Sequence, residues 1–308
     1  MNILVTGGDG QLATCIKQVT QNNKKHKYIF MSKNELDITN IDEIENIFEQ
    51  YNFDLIINCA AYTNVDKAPE ELDKVYSINE IGPLNLTVCA RHYGAKIIHI
   101  STDFVFDGEK NTPYREIDKT NPLSVYGGSK LAGEEAIMKF DNAMVIRTSW
   151  LYSEYGNNFF KKMISLILEN NKTYVVNDQV GTPTYAMDLA NFLCYFIENY
   201  YDRFENKIFH FSNEGCCSWY DFAKAIEFYL LRNSKDLLIN NLINPISSYE
   251  YQAMSKKMLE LRPSYSVLSK TEIKKTYKWP INHWLQSLYN CIDRYLLLSA
   301  YNNVNKNN

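Results

Sequence analysis

Asn2-Ile3-Leu4-Val5-Thr6-Gly7-Gly8-Asp9-Gly10-Gln11-Leu12-Ala13 is the stretch on which the fold turns. Ile3, Leu4 and Val5 form an unbroken apolar run of the kind found in strands covered on both faces. The run ends at Thr6 and passes into a glycine turn, after which Gln11, Leu12 and Ala13 open a helical pattern. Glycine at 7 and 10 permits a tight turn and close approach of the backbone to a ligand. A helix starting there presents free amides and a partial positive charge, which suits a diphosphate. Ala13 stands where a third glycine is often found, and its small size makes the exchange tolerable. Alone, such a turn is no more than a strand–helix connection. Its place directly after an apolar strand points to a dinucleotide.

Further apolar, β-branched runs at 28–31, 54–59, 95–101 and 143–149 alternate with helical stripes. One stripe is Ile41, Ile44, Ile47 and Phe48; another is Ile78, Ile81, Leu84, Val88 and Cys89. Strand and helix alternating at this spacing predict right-handed βαβ units and a parallel sheet. The rhythm changes after Trp150: helices are expected at about 159–169, 184–200, 219–231 and from 284, with short strands near 174–176, 208–211 and 265–268. Ser218 is the expected N-cap of the third of these helices. The expected fold class is therefore α/β, a Rossmann-type doubly wound parallel sheet with a smaller α/β substrate-binding lobe. Residues 1–150 and 184–204 are assigned to the first domain and 151–183 and 205–296 to the second. The tail 297–308, rich in asparagine, is expected to be disordered.

Composition narrows the partners. With 45% hydrophobic and 22% charged residues the chain reads as an ordinary globular protein. A formal charge of −4 offers no general field for nucleic acid or an anionic membrane. No apolar run spans a bilayer, and the N-terminus lacks the basic and apolar regions of a signal peptide, so the cytoplasm is the expected compartment. Of the seven cysteines only Cys216 and Cys217 are neighbours, and they are adjacent rather than two to four residues apart. Neither a disulfide framework nor a metal site is expected.

At the end of the second strand, Met31-Ser32-Lys33-Asn34 carries a hydroxyl and a cation, with no carboxylate before Glu35. A carboxylate there would repel a 2′-phosphate, so NADPH is the expected cofactor, with NADH disfavoured rather than excluded. Asp37 and Ile38 are placed to meet the adenine. Asn58-Cys59-Ala60-Ala61 closes the third strand with small residues, as close packing over a cofactor requires. Ser101-Thr102-Asp103 closes the fourth. Tyr126 and Lys130, four apart at the start of a helix, share one face. A tyrosine titrates near pH 10, too high for efficient acid–base work at neutral pH. A nearby ammonium, aided by oxidised nicotinamide, is expected to lower that value. Thr102 would hold a substrate carbonyl oxygen while Tyr126 protonates it, and Lys130 would also hold the nicotinamide ribose. With 23 tyrosines in the chain the Tyr-x-x-x-Lys spacing alone says little. Its force comes from the order in which the four segments follow one another.

The combination resembles the dTDP-4-dehydrorhamnose reductase family of extended short-chain dehydrogenases over nearly the whole chain. Matching segments are 7–12, Leu-Asp-Ile-Thr at 36–39, Asn-Cys-Ala-Ala-Tyr-Thr-Asn-Val-Asp-Lys-Ala at 58–68 and Ser-Thr-Asp-Phe-Val-Phe-Asp-Gly at 101–108. They continue with 121–134, Arg-Thr-Ser-Trp-Leu-Tyr at 147–152, Gly-Asn-Asn-Phe at 156–159, Asp-Gln-Val-Gly-Thr-Pro-Thr at 178–184 and Arg-Pro-x-x-Ser at 262–266. The resemblance implies reduction of the C4 ketone of a nucleotide-activated 4-keto-6-deoxyhexose, in the first place dTDP-4-dehydro-L-rhamnose. It implies Thr102, Tyr126 and Lys130 as catalytic with Asp103 beside them. Cofactor contacts would run over Gly7, Asp9, Gly10, Gln11, Leu12, Ser32, Lys33, Asp37, Ile38, Cys59, Ala60, Ala61, Thr63 and Ser101, besides Tyr126 and Lys130. Val65 and Trp150 would face the sugar, and Asn158, Gln179 and Arg262 the nucleotide. An indole wall and a guanidinium suit a deoxysugar and a diphosphate. Two departures stand out. Positions where some members carry acidic metal ligands at a dimer contact hold Cys15 and Met187. That points to a monomer or weak homodimer without metal. The stretch 233–261 is long and polar and is expected to affect the pocket. A reductase for another nucleotide sugar and a non-catalytic NADP-binding regulator remain as alternatives.

Overall fold

The computed structural model describes residues 1–233, 242–255 and 258–306. β1 (Asn2–Thr6), β2 (Lys27–Met31), β3 (Leu55–Asn58), β4 (Lys96–Thr102) and β5 (Ala143–Thr148) pair in parallel, in the order β5-β4-β3-β1-β2. Residues on each strand alternate between two cores. Ile3, Val5, Leu55, Ile57 and Ile98 pack toward α1 (Gln11–Thr20) and the Ala186–Tyr200 helix. Leu4, Ile56, Ile97 and Val145 pack toward α2 (Ile41–Tyr51) and the Gly82–His92 helix. Both faces are covered, which is why the strands read as unbroken apolar runs. Strand order reverses between β1 and β3, so a crevice opens past their carboxyl ends. Thr6 and Asn58 sit side by side there.

Three sequence expectations need correction. Ile208–His210, assigned to the second lobe, pairs with β5 and extends the main sheet to six strands. Its short apolar run reads equally as an edge strand of either lobe, and periodicity alone does not choose. The expected strand at 265–268 contributes only single bridges, Tyr265 to Val180 and Leu268 to Tyr114. The tail expected to be disordered continues the Trp284–Lys306 helix. Once Trp284, Leu288 and Ile292 are buried, each further residue adds a hydrogen bond without a new nucleation cost.

The second lobe is built from two-stranded pairs, Thr173–Val176 with Ile243–Ile246 and Val180–Gly181 with Cys217–Ser218. Around them lie the helices Phe159–Leu168, Trp219–Asn233 and Ser248–Met254. Ser218 does precede the Trp219 helix, its hydroxyl accepting from the Asp221 amide at 3.0 Å. Of the polar stretch 233–261, residues 234–241 and 256–257 lie outside the described residues. No helix among the described residues is long and apolar enough to cross a membrane.

Candidate active site

The glycine turn has the geometry a dinucleotide needs. Gly7 adopts φ +63°, and a Cβ there would stand 2.9 Å from the Ala60 amide nitrogen, so any side chain would press on β3's end. Gly10 starts α1 with no side chain capping its first turn and no acidic residue in it. The amides of that turn are thus left for an anion.

A cavity of about 740 Å³ opens over this turn. Its walls include Gly7, Asp9, Gly10, Gln11, Leu12, Lys33, Asp37 and Ile38 at one end. Cys59, Ala60, Ala61, Thr63, Val65, Ser101, Thr102, Asp103, Tyr126 and Lys130 complete the walls. Inside it the hydroxyls of Ser101 and Thr148 are buried without a hydrogen-bond partner. Buried hydroxyls ordinarily find partners, so these two point to a polar ligand. The turn that a Cβ would fill, the uncapped helix and the orphaned hydroxyls together fit a dinucleotide.

Ser32 is not in the wall. Its amide and hydroxyl both donate to the Glu35 carboxylate, at 2.8 and 2.7 Å, in a local turn. Lys33 is the residue of that pair that lines the cavity.

The Val125–Ile137 helix positions the acid–base pair. Ser124 caps it by accepting from the Gly127 amide at 3.1 Å. A Cβ at Gly127 would collide with the Phe104 carbonyl, so glycine lets the helix seat against the loop after β4. Further along, Glu134 holds Arg147 of β5 in a fully buried ion pair (2.6 to 3.1 Å). Lys130 is buried, donating from Nζ to the Ile100 carbonyl at 2.7 Å. Burial pushes it down to about 8, with Glu134 pulling the other way.

Tyr126 is governed by burial in the protein without cofactor. Burial of its hydroxyl pushes it up to about 12, while the Thr102 hydroxyl beside it pulls down. Desolvation of the phenolate therefore outweighs the expected help from Lys130, whose amine is turned to β4. In the protein alone Tyr126 keeps its proton. Asp103 accepts from the Thr102 hydroxyl at 3.2 Å and is raised to about 6 by burial.

A second cavity, about 960 Å³, shares Trp219 and Arg262 with the first. Trp150 and Trp219 stack with centroids 3.6 Å apart and planes at 9°, and Phe159 packs beside them. Trp150 holds φ +46°, uncommon for so bulky a residue and a sign of local constraint. Gln179 lines the second cavity and donates to Ser248 Oγ at 2.9 Å. Lys162, Lys172 and Arg262 give its wall three cations. Arg262 Nη2 donates to both Asp66 oxygens, at 2.9 and 3.1 Å, joining the second lobe to the segment after β3.

Asn158 stands behind the wall instead of in it. Its Oδ1 caps the Phe159–Leu168 helix, and its Nδ2 donates to Gln11 Oε1 at 2.7 Å. Sequence reading missed Trp219 and Thr148. The first was visible only as a helix start, and the second as one more residue of an apolar strand. Cys15 and Met187, at the positions of the acidic ligands, are buried in the same core cluster.

The family model for the RmlD substrate binding domain matches residues 1–297. A dTDP-4-dehydrorhamnose reductase of Aggregatibacter actinomycetemcomitans is 38% identical over 291 residues, 94% of this chain and 97% of that protein. The crystal structure of a dTDP-4-dehydrorhamnose reductase from Clostridium acetobutylicum, also 38% identical, superposes with a TM-score of 0.85 over 95% of this chain and 99% of that one. One from Bacillus anthracis, solved in complex with NADP, is 35% identical with a TM-score of 0.85 over the same shares. With a glycine turn, a Tyr-x-x-x-Lys helix and a second lobe arranged as described, this chain belongs to the dTDP-4-dehydrorhamnose reductase family of extended short-chain oxidoreductases.

Proposed function

We propose that this chain uses NADPH to reduce the C4 ketone of a nucleotide-activated 4-keto-6-deoxyhexose, converting dTDP-4-dehydro-L-rhamnose to dTDP-L-rhamnose. The observation that carries this reading is that the cavity lined by Thr102, Tyr126 and Lys130 meets a second one at Trp219 and Arg262, with Trp219 stacked on Trp150. The names of the relatives support the substrate, and the NADP complex of one supports the cofactor.

Bound NADPH supplies the hydride. The remaining work falls to side chains. Thr102, turning its hydroxyl proton from Asp103, would donate a hydrogen bond to the ketone oxygen and so orient the carbonyl. Tyr126, which burial keeps protonated, delivers the proton that the oxygen takes up as C4 is reduced. Lys130, in its ammonium form, would stabilise the phenolate left behind. Trp150 and Trp219 offer the deoxysugar an apolar wall. Arg262, Lys162 and Lys172, with Gln179 among them in the wall of the second cavity, would face the diphosphate and nucleoside. Lys33, in the wall of the first cavity, would hold the 2′-phosphate.

The test is NADPH oxidation against a panel of dTDP-, GDP- and UDP-linked 4-keto-6-deoxysugars, with the configuration at C4 read by NMR. Fastest turnover with the dTDP sugar, giving the L-rhamno product, is expected. Fastest turnover with another base would move the assignment to that nucleotide. No turnover on any, with NADPH still bound, would leave only an NADP-binding regulator.

A further inference from the structure

Beneath the catalytic amine lies a row of buried polar groups that the reaction as described does not use. Thr6 Oγ1 donates to Asn58 Oδ1 at 2.7 Å, and the Ala60 amide donates to the same oxygen at 3.2 Å. Those two donors fix the side-chain amide of Asn58 and turn its Nδ2 to His99 Nδ1, 2.9 Å away. His99 is fully buried, and burial keeps it neutral, well below the usual histidine range. Asn58 Nδ2 only donates, so Nδ1 presents a lone pair and the ring's single proton sits on Nε2. Nε2 faces Lys130 Nζ at 3.1 Å.

We propose that His99 is a positioning residue for Lys130, donating Nε2–H to Nζ and so favouring the uncharged amine over the ammonium. An ammonium has no lone pair and would set N–H against N–H. To accept it, the ring must move its proton to Nδ1, and Asn58 must turn its amide over. Asn58 then gives up its bond from Ala60, the residue against which the Gly7 turn packs. The charge on Lys130 is thereby tied to the backbone of the cofactor wall. Other groups act on it from each side. Glu134 on its own helix favours the charge, although Arg147 of β5 is paired with that carboxylate. Cys59, Tyr126 and Asp103 share the cavity.

The consequence for turnover rests on the reductase reading, but the protonation itself belongs to the protein without substrate. NMR of cofactor-free protein labelled with 13Cε-lysine and 15N-histidine tests it apart from that reading. Lys130 is identified by the resonance missing from Lys130→Met, and the titration runs from about pH 6 to about pH 10, spanning the amine's shifted range. Above the Lys130 midpoint His99 should be the Nε2–H tautomer, and below it the Nδ1–H tautomer. One tautomer throughout overturns the proposal. His99→Gln supplies a carbonyl that accepts from the ammonium. It should raise the Lys130 midpoint by about one pH unit, the tenfold preference of roughly one hydrogen bond. The alkaline limb of kcat should move with it while KM for NADPH stays within about twofold, well under that tenfold effect. An unchanged or lowered midpoint in His99→Gln overturns it as well.

Discussion

Gly181→Ala tests whether the tryptophan pair is the sugar-facing wall. A Cβ at 181 would stand 2.5 Å from Trp150 Cε2 and 2.8 Å from its Nε1, against the 3.4 Å at which ordinary contact begins. The indole must therefore retreat by about 1 Å, and it has little freedom to do so. Its backbone is held at φ +46°, its carbonyl accepts from the Thr184 amide at 3.2 Å, and its face lies on Trp219. A displacement of about 1 Å at a positioning surface is worth on the order of a hundredfold in rate. We expect kcat/KM for the keto-sugar to fall by about that factor while the Kd for NADPH changes less than about twofold, since the turn at Gly7 is untouched. The far-ultraviolet circular dichroism couplet of the stacked indoles should weaken in parallel, reporting the displacement independently of turnover. Loss of the couplet with undiminished kcat/KM would show that the pair is core packing and that the sugar lies elsewhere.

Lys33→Ala should raise the Kd for NADPH by roughly fivefold, the worth of an exposed charge pair of about 1 kcal/mol, and leave NADH unchanged. Ser32→Ala should alter neither, because the Ser32 hydroxyl is committed to Glu35. Glu134→Gln strands Arg147 in the core and should cost about 3–5 kcal/mol in urea unfolding. A loss below about 1 kcal/mol, the worth of an exposed pair, would mean that water reaches the site. His210, lowered to about 3 by burial and then by Arg147, stays neutral in the fold while the unfolded chain takes up its proton below about pH 6.5. Its stabilising contribution is intact above that pH and is lost as pH falls toward 3. Wild type should therefore lose about 1.4 kcal/mol more per pH unit than His210→Gln between about pH 6 and pH 4. Parallel stability curves would contradict the burial.

The parallel sheet was legible because β1, β3, β4 and β5 are buried on both faces, and such strands leave unbroken apolar runs. The glycine turn and the Tyr126–Lys130 spacing were legible because local geometry is written in local sequence. What depends on tertiary contact was not. Ser32 reads as a cofactor hydroxyl until Glu35 is seen to hold it. Asn158 reads as a ligand group, yet its amide is spent on a helix cap and on Gln11. Trp219 gives no signal as a wall residue, since its stacking on Trp150 joins positions nearly seventy residues apart. In the protein alone the proton affinity of Tyr126 is raised, and spacing reveals a neighbouring lysine but not the desolvation around the hydroxyl. His99 passed unnoticed inside an apolar strand, where only the fold shows it facing Lys130.

Most direct is a comparison of Tyr126→Phe with wild type at saturating dTDP-4-dehydro-L-rhamnose. NADPH oxidation is followed under single-turnover conditions, and NADPH binding is titrated separately. The substitution removes the proton donor and keeps the ring, including its edge contact with Phe104 (5.5 Å). The hydride step should slow by at least about a hundredfold, with NADPH affinity unchanged. Wild-type single-turnover rates in Tyr126→Phe would contradict the assignment of Tyr126 as the acid, and with it the proposed mechanism.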